Sequence, residues 1–318
     1  MPHIKQTRKE HIVPQMLLSR FVAPDGRLWV YTKGKPPRPS KPENECVERD
    51  FFEFELRGKK TQNGYENWLS QIEGDAVPVL EAIVLRRQIS SRDAEVWATF
   101  VAALFGRTRK VRAQISEGMA QKFREQTENS NFVRELQYAL LLRGELHYAE
   151  DLKRAIDERR AEMDASPSYY HVSALPNRVG IIAQSLLTRA WHTIEAPPDH
   201  CFLISDCPVV TYEVRDGRPY PGAGFGGENT AVLLPVGPKH LFVASPHHFK
   251  WNLVASPSGV RNINRLIVQF AHRNVYASFE SEGVRALVDA EIDKIVFGRN
   301  AFLPPSELRE QSPATISS

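Results

Sequence analysis

The chain is organised around one stretch, Cys201-Phe-Leu-Ile-Ser-Asp-Cys-Pro-Val-Val210. Its first residues are apolar and suit a buried strand, whereas Ser205 and Asp206 place polar side chains where that strand ends. Pro208 then interrupts the backbone hydrogen-bonding pattern. Because a strand that ends in polar side chains holds them rigidly at the rim of a sheet, we expect any functional site to lie at this rim.

Composition and charge exclude several classes of protein. The 318 residues include 41 Lys and Arg against 38 Asp and Glu, so no global electrostatic field commits the chain to nucleic acid or to an anionic membrane. Three cysteines are too few for a disulfide framework. No apolar run is long enough to cross a bilayer, and the basic N-terminus lacks the apolar core of a secretory signal. We therefore expect a cytoplasmic, soluble protein with no membrane partner.

The N-terminal part is predicted to hold a short helix and strands. Residues 1–10 are interpreted as a flexible basic arm, and residues 11–62 as the first part of a single domain. Pro14 suits the first turn of a short helix. Arg27–Thr32 alternates as a strand does, and the four prolines within Gly34–Pro42 predict an extended loop.

Residues 63–190 form a predicted helical middle. Apolar residues at steps of three and four predict a helix from Tyr65 to Arg87, with a kink at Pro78. Ser90 and Asp93 are typical of the start of the next helix. Helices at 107–165 carry many charged residues and one thin apolar stripe, which makes them a candidate surface for a protein partner.

Residues 191–303 are predicted to be mainly β. The five strand candidates are Trp191–Glu195, Phe202–Ser205, Val209–Tyr212, Ala231–Leu234 and His240–Ala244. A helix over Val260–His272 and a strand over Asn274–Ser278 follow, and the tail at 304–318 is expected to be disordered. The predicted fold is α+β, with the helical middle packed against a mainly antiparallel C-terminal sheet in one domain, residues 11–303.

Ser205 and Asp206 are the leading polar pair, and two interpretations stay open. In the chemical one, Asp206 holds a metal ion or acts as a base while Ser205 donates a hydrogen bond. In the structural one, the Asp206 carboxylate caps the turn that Pro208 begins. No Gly-x-Ser-x-Gly motif surrounds Ser205, which disfavours a serine hydrolase.

Other polar residues are predicted to point inward. Glu73 lies at the edge of the apolar face of its helix and Arg107 on the apolar face of the next, so each needs a partner, and the simplest is the other. Asn264 shares a helix face with Ile267. A buried structural network is one account of these residues, and the lining of a site shared with Asp206 is the other.

His11-Ile-Val-Pro14 resembles the opening of ββα-metal nucleases, but the second His and the Asn of that motif do not follow. The alternative for His11 and Gln15 is a hydrogen-bonded anchor of the N-terminal arm. The basic run Arg107–Arg112 could contact phosphates, although a solvated helix face also explains it. Cysteine and histidine spacing indicates no zinc site.

Several motifs in order resemble one family. They are His11-x-Val-Pro-Gln15, Gly26-x-Leu-Trp-Val-Tyr31, Ile72-Glu73, Phe105-Gly-Arg-Thr108, Ile204-Ser-Asp-Cys-Pro208, Leu234-Pro-Val-Gly-Pro238 and Asn264. This order is similar to the mostly bacterial domain-of-unknown-function family 4238, in which Asn usually occupies the position of Cys207. The resemblance implies a common fold and no defined activity.

The functional hypothesis is a polar pocket that recognises or hydrolyses a phosphate-containing ligand or nucleic acid, in a bacterial defence or stress accessory role. In the hydrolytic form, Asp206 and Glu73 hold a divalent metal ion and His11 is the general base. Gln15, Arg107, Ser205 and Asn264 would then bind the ligand. The alternative is a non-catalytic interaction module in which the same polar residues form a structural network.

Overall fold

The computed structural model describes most of the chain between residues 9 and 295. The described residues are 9–49, 51–52, 55–56, 59–60, 64–144, 151–152, 154, 156–158, 161, 167–215, 218–222, 224–248 and 254–295. Most of the predicted arm, the predicted tail and much of the 107–165 region after residue 144 lie outside them. The fold is α+β, as predicted, with helices in the middle of the chain and antiparallel strands toward the C-terminus.

A four-stranded antiparallel sheet contains Ile204 and Ser205 of the Cys201–Val210 stretch. Its spatial order is β3-β2-β13-β8, from β3 (Arg38–Ser40), β2 (Leu28–Thr32), β13 (Asn274–Ala277) and β8 (Ile204–Ser205). Two of these strands come from the N-terminal part, so the C-terminal β region completes its sheet with residues that precede the helices. The register places Val275 opposite both Tyr31 and Ser205.

A five-stranded antiparallel sheet forms the second layer of strands. Its order is β10-β9-β11-β12-β7, from β10 (Arg218–Pro221), β9 (Val210–Arg215), β11 (Thr230–Gly237), β12 (His240–Ser245) and β7 (Ala190–Glu195). Every residue of β11 is buried, which explains its continuous apolar sequence. Two small ribbons pair β1 (Lys9–His11) with β4 (Val47–Arg49) and β5 (Glu55–Leu56) with β6 (Lys59–Lys60).

The described helices build the middle of the chain and flank the sheets. They are α1 (Gln15–Leu18), α2 (Gly64–Val84), α3 (Ser91–Gly106), α4 (Arg109–Glu128), α5 (Ser130–Leu142), α6 (Pro167–Leu187), α7 (Pro257–Phe270) and α8 (Glu282–Glu291). Single turns of 3₁₀ helix occur at Ser19–Phe21 and Pro42–Asn44. Pro78 lies inside α2, where the sequence places it.

Helix α3 is the centre of the helical part and packs against α2 and α6. Its start is the predicted one, because Ser90 Oγ accepts from Asp93 N at 3.1 Å while the Asp93 carboxylate accepts from Ser90 N at 3.0 Å. A Cβ on Gly106, the last residue of α3, would lie 2.6 Å from Leu175 Cδ1 of α6, so any larger residue there would require the buried Leu175 side chain to shift.

The described part of the chain contains no helix with both the length and the apolar character needed to cross a bilayer. The strand β1 begins within the stretch predicted as a flexible arm, and Glu10 in it is buried, accepting from Phe52 N at 2.9 Å. The N-terminal ribbon is therefore attached to the domain, and it forms one wall of the cleft described next.

Candidate functional site

The Asp206 carboxylate is held by backbone groups that follow helix α7. Its Oδ1 accepts from His272 N at 2.8 Å, and its Oδ2 accepts from Arg273 N at 2.8 Å and from Asn274 N at 3.0 Å. Two of these N–H groups, those of His272 and Arg273, belong to the turn after α7, and the third belongs to Asn274, the first residue of β13. Burial raises the pKa of Asp206, while the three N–H groups act in the opposite direction.

Ser205 and Asn264 bond to the backbone on either side of the same strand. The Ser205 hydroxyl donates to Cys207 O at 3.0 Å and accepts from Cys207 N at 3.3 Å. The Asn264 amide accepts from Leu203 N and donates to Cys201 O, both at 2.9 Å. Both side chains therefore have their hydrogen-bonding groups engaged in fixing the 201–207 backbone.

Glu73 and Arg107 form the ion pair that the helical spacing predicts. Arg107 Nη1 donates to Glu73 Oε1 at 2.5 Å, linking α2 to the residue just after α3. Only 2% of the Arg107 side chain is exposed, against 26% for Glu73. The pair lies outside the cleft that Asp206 lines.

His11 and Gln15 are four residues apart in the chain, and their side chains differ in burial. His11 is half-buried in β1, opposite Val47. Gln15 begins α1 and is exposed. Between them, Ile12 N donates to Cys46 O at 2.7 Å and Ile12 lines the cleft, whereas neither His11 nor Gln15 does.

A polar cleft of about 280 Å³ lies where the N-terminal ribbon meets the rim of the four-stranded sheet. Of the seven predicted site residues, Asp206 alone lines it. The basic and amide side chains of the lining are Lys35, Arg38, Asn44, Arg109, His272, Arg273 and Asn274. The cleft thus forms from segments that are far apart in sequence. The catalytic assignment of His11, Glu73 and Asp206 stays a prediction.

Two of the cleft's arginines are held by carboxylates. Arg38 Nη2 lies 2.8 Å from Glu45 Oε1, and Arg109 pairs with Glu48 of β4. Lys35 and Arg273, in contrast, make no ion pair in the described part of the chain. The Asp206 carboxylate is bonded to backbone N–H groups rather than to either of these side chains.

The floor of the cleft carries a thiol and a phenol. Cys46 Sγ lies 3.1 Å from Tyr276 Oη, and Cys46 adopts the left-handed conformation with φ of 54°. Burial raises the pKa of both groups well above their ordinary values, and the nearby Asp206 carboxylate acts in the same direction. Both groups are therefore neutral at physiological pH, which disfavours Cys46 as a nucleophile.

A second buried titratable group lies on α6 and does not line the cleft. His171 is fully buried, with Nε2 at 2.7 Å from Gly106 O, and burial lowers its pKa to about 4. Its Nδ1 has no partner among the described groups. His171 is therefore a neutral packing residue at the α3–α6 contact.

Sequence reasoning missed Lys35, Cys46, Arg273 and Tyr276. The sequence contained one signal, the absence of Asp and Glu between Glu228 and Glu280. That interval includes residues 272–276, four of which line the cleft. Among the described residues, no three His, Cys, Asp or Glu side chains converge as metal ligands.

Comparison with known proteins identifies the family of the chain. The family described as "Protein of unknown function (DUF4238)" matches residues 9–281, most of the sequence. The chain belongs to the DUF4238 family. No match was found among curated proteins or among solved structures. This match confirms the resemblance of the sequence motifs to the family. The description of the family names no activity.

Proposed function

We propose that this DUF4238 protein binds a phosphate-containing ligand in the cleft, and that Lys35 and Arg273 are its main charged contacts. The observation that carries the proposal is the presence of two cations in a concave polar site that no carboxylate neutralises. Arginine and lysine in such positions favour phosphate, because their charge-assisted hydrogen bonds are stronger than neutral ones.

The remaining lining supports an oxyanion rather than an apolar ligand. Arg38 and Arg109 are paired with Glu45 and Glu48, so the positive charge of the cleft comes mainly from Lys35 and Arg273. The Asn274 side chain is oriented by Thr32, whose hydroxyl donates to Asn274 Oδ1 at 2.7 Å, so its amide N–H groups remain as donors. The cleft volume is at the lower end for small-molecule sites, so one phosphorylated group fits it better than an extended apolar molecule.

Asp206 has a positioning role in this proposal. Its carboxylate bonds three consecutive N–H groups and so fixes the backbone of the turn from which Arg273 projects. The structural interpretation of Asp206, Ser205 and Asn264 is favoured by their bonds, since each oxygen of Asp206 already accepts a backbone hydrogen bond. These three bonds occupy most of the roughly four acceptor positions of the carboxylate, so only one position, on Oδ1, would remain for a metal ion in a hydrolytic role.

The test is isothermal titration calorimetry with pyrophosphate. Replacement of both cations, Lys35→Ala with Arg273→Ala, removes two charge-assisted contacts and should weaken binding by about 10- to 100-fold. The matched control is Lys33→Ala with Arg285→Ala, which removes the same charge from positions outside the cleft lining. An equal loss in both double variants, or no binding by the wild-type protein, would contradict the proposal.

A further inference from the structure

The sequence interval that supplies the 272–276 wall of the cleft and helix α7 contains no acidic residue. The interval between Glu228 and Glu280 lacks acidic residues, in a chain that has 38 of them in 318 residues. Buried strands β11 and β12 account for part of this interval. Helix α7 and the turn after it lie at the surface, however, and there the absence of carboxylates has no packing explanation.

Helix α7 presents arginines along its exposed face. Arg261 and Arg265 are one helical turn apart and both are exposed, with Asn262 beside them. The opposite face buries Val260 and Ile267 in the core. From Phe270, where the helix ends at the cleft, Arg265 and Arg261 lie roughly 7 and 14 Å back along the axis, given a rise of 1.5 Å per residue.

One carboxylate that interacts with Arg265, that of Glu291, is already engaged by other groups. Glu291 of α8 accepts from Gln269 Nε2 at 2.8 Å and lies 3.3 Å from Lys294 Nζ. It lies close enough to Arg265 for their charges to interact, and its own pKa is lowered mainly by the bond from Gln269. Arg261 and Arg265 make no ion pair within the described residues. Arg261 and Arg265 on α7 and Arg273 in the turn after it are thus three exposed arginines without an ion pair among the described residues.

We propose that the ligand is a nucleic-acid strand whose backbone leaves the cleft along α7, where Arg261 and Arg265 contact successive phosphates. This inference rests on the proposed phosphate binding in the cleft and adds the class of ligand. A linear row of separated cations matches a polyanion rather than a single phosphate. Recognition is independent of base sequence, because the contacts go to phosphates.

The same helix does not suit a membrane. A helix that lies on a bilayer inserts an apolar face into the lipid. The apolar face of α7 is buried in the core, and its exposed face carries Arg261, Asn262 and Arg265. An anionic lipid surface would therefore meet charge alone, which makes the nucleic-acid backbone the better match.

The experiment compares a long and a short ligand. Fluorescence anisotropy measures binding of a 5′-phosphorylated twelve-residue oligothymidylate, and calorimetry measures pyrophosphate. Arg261→Ala with Arg265→Ala should weaken oligonucleotide binding by about tenfold at low salt and reduce the slope of log K against log salt by about 1.4, which is two contacts at ~0.7 each. Pyrophosphate binding should change less than twofold, because that ligand does not reach α7.

Controls separate the two proposals. Arg87→Ala, between α2 and α3, with Arg92→Ala, in the first turn of α3, removes the same charge from exposed positions and should leave both affinities unchanged. Suppose that pyrophosphate binding depends on Lys35 and Arg273 as expected, but the Arg261/Arg265 variant leaves oligonucleotide affinity and its salt dependence unchanged. This inference then fails, and the proposed function stands. If the wild-type protein does not bind pyrophosphate, both the proposed function and this inference are wrong. Binding to phosphatidylserine vesicles without binding to the oligonucleotide also overturns the inference.

Discussion

Replacement of Asp206 by alanine separates a structural carboxylate from a catalytic one. The substitution leaves three consecutive N–H groups, those of His272, Arg273 and Asn274, without their acceptor. Each lost hydrogen bond lowers the free energy of unfolding by about 1 kcal/mol, so we expect a loss of about 3 kcal/mol in total. At an unfolding entropy of about 2.1 cal/mol/K per residue, this loss corresponds for 318 residues to a fall in Tm of about 4–5 °C.

Urea denaturation followed by circular dichroism measures this loss. Asp206→Asn keeps one oxygen as an acceptor and should lose about half as much. Asp199→Ala is the matched control, because Asp199 is exposed and makes no side-chain bond in the described structure, and it should change stability by less than about 0.5 kcal/mol. If Asp206→Ala is as stable as the wild type, the carboxylate is not structural and the catalytic interpretation gains support, since functional groups are often held at a cost to stability.

Three further predictions concern groups outside this turn. Glu73→Ala leaves Arg107 buried without its partner and should cost about 3 kcal/mol in urea denaturation, whereas the double variant with Arg107→Met should recover much of that loss. The pKa of His171 is about 4 in the folded protein, below the ordinary 6.5, so on acidification the unfolded chain takes up the proton first. His171 therefore contributes about 3 kcal/mol to the free energy of unfolding above pH 6.5, and this contribution is lost as the pH falls toward 4. Because burial raises the pKa of Cys46, the folded Cys201→Ser protein should react with Ellman's reagent at pH 7.5 at least about tenfold more slowly than the unfolded chain does.

Each of these predictions has an outcome that refutes it. The ion-pair argument fails if the single Glu73 variant is as stable as the double variant. The His171 argument fails if His171→Gln shows the same loss of stability between pH 6.5 and 4 as the wild type. Rapid stoichiometric reaction of the folded protein would show that the Cys46 thiol is ionised more easily than its buried position implies.

Local features of this fold were predictable because their causes are local. The capping residues Ser90 and Asp93 are three positions apart, so their mutual hydrogen bonds follow from spacing alone. The pairing of Glu73 with Arg107 followed from helical periodicity, since two inward charges on neighbouring helices have few other partners. The strand predicted at Arg27–Thr32 is present as β2.

The site was less predictable because it depends on distant segments. Asp206 is 66 to 68 residues from the N–H groups it accepts from, so no local pattern shows whether its carboxylate is engaged or free. Lys35 follows a turn in a proline-rich stretch that was predicted as loop, yet Arg38–Ser40 forms strand β3. This strand is at the edge of its sheet, the position where a proline such as Pro39 is tolerated because one side needs no donor.

The position of a bound anion tests the central claim most directly. A crystal structure of the protein with tungstate, a heavy oxyanion that mimics phosphate, would locate it by anomalous scattering. We predict one dominant site in the cleft, with tungstate oxygens about 2.7–3.2 Å from Lys35 Nζ and from the Arg273 guanidinium. A dominant site elsewhere on the protein, or an empty cleft at a tungstate concentration that competes with pyrophosphate in solution, would contradict the account.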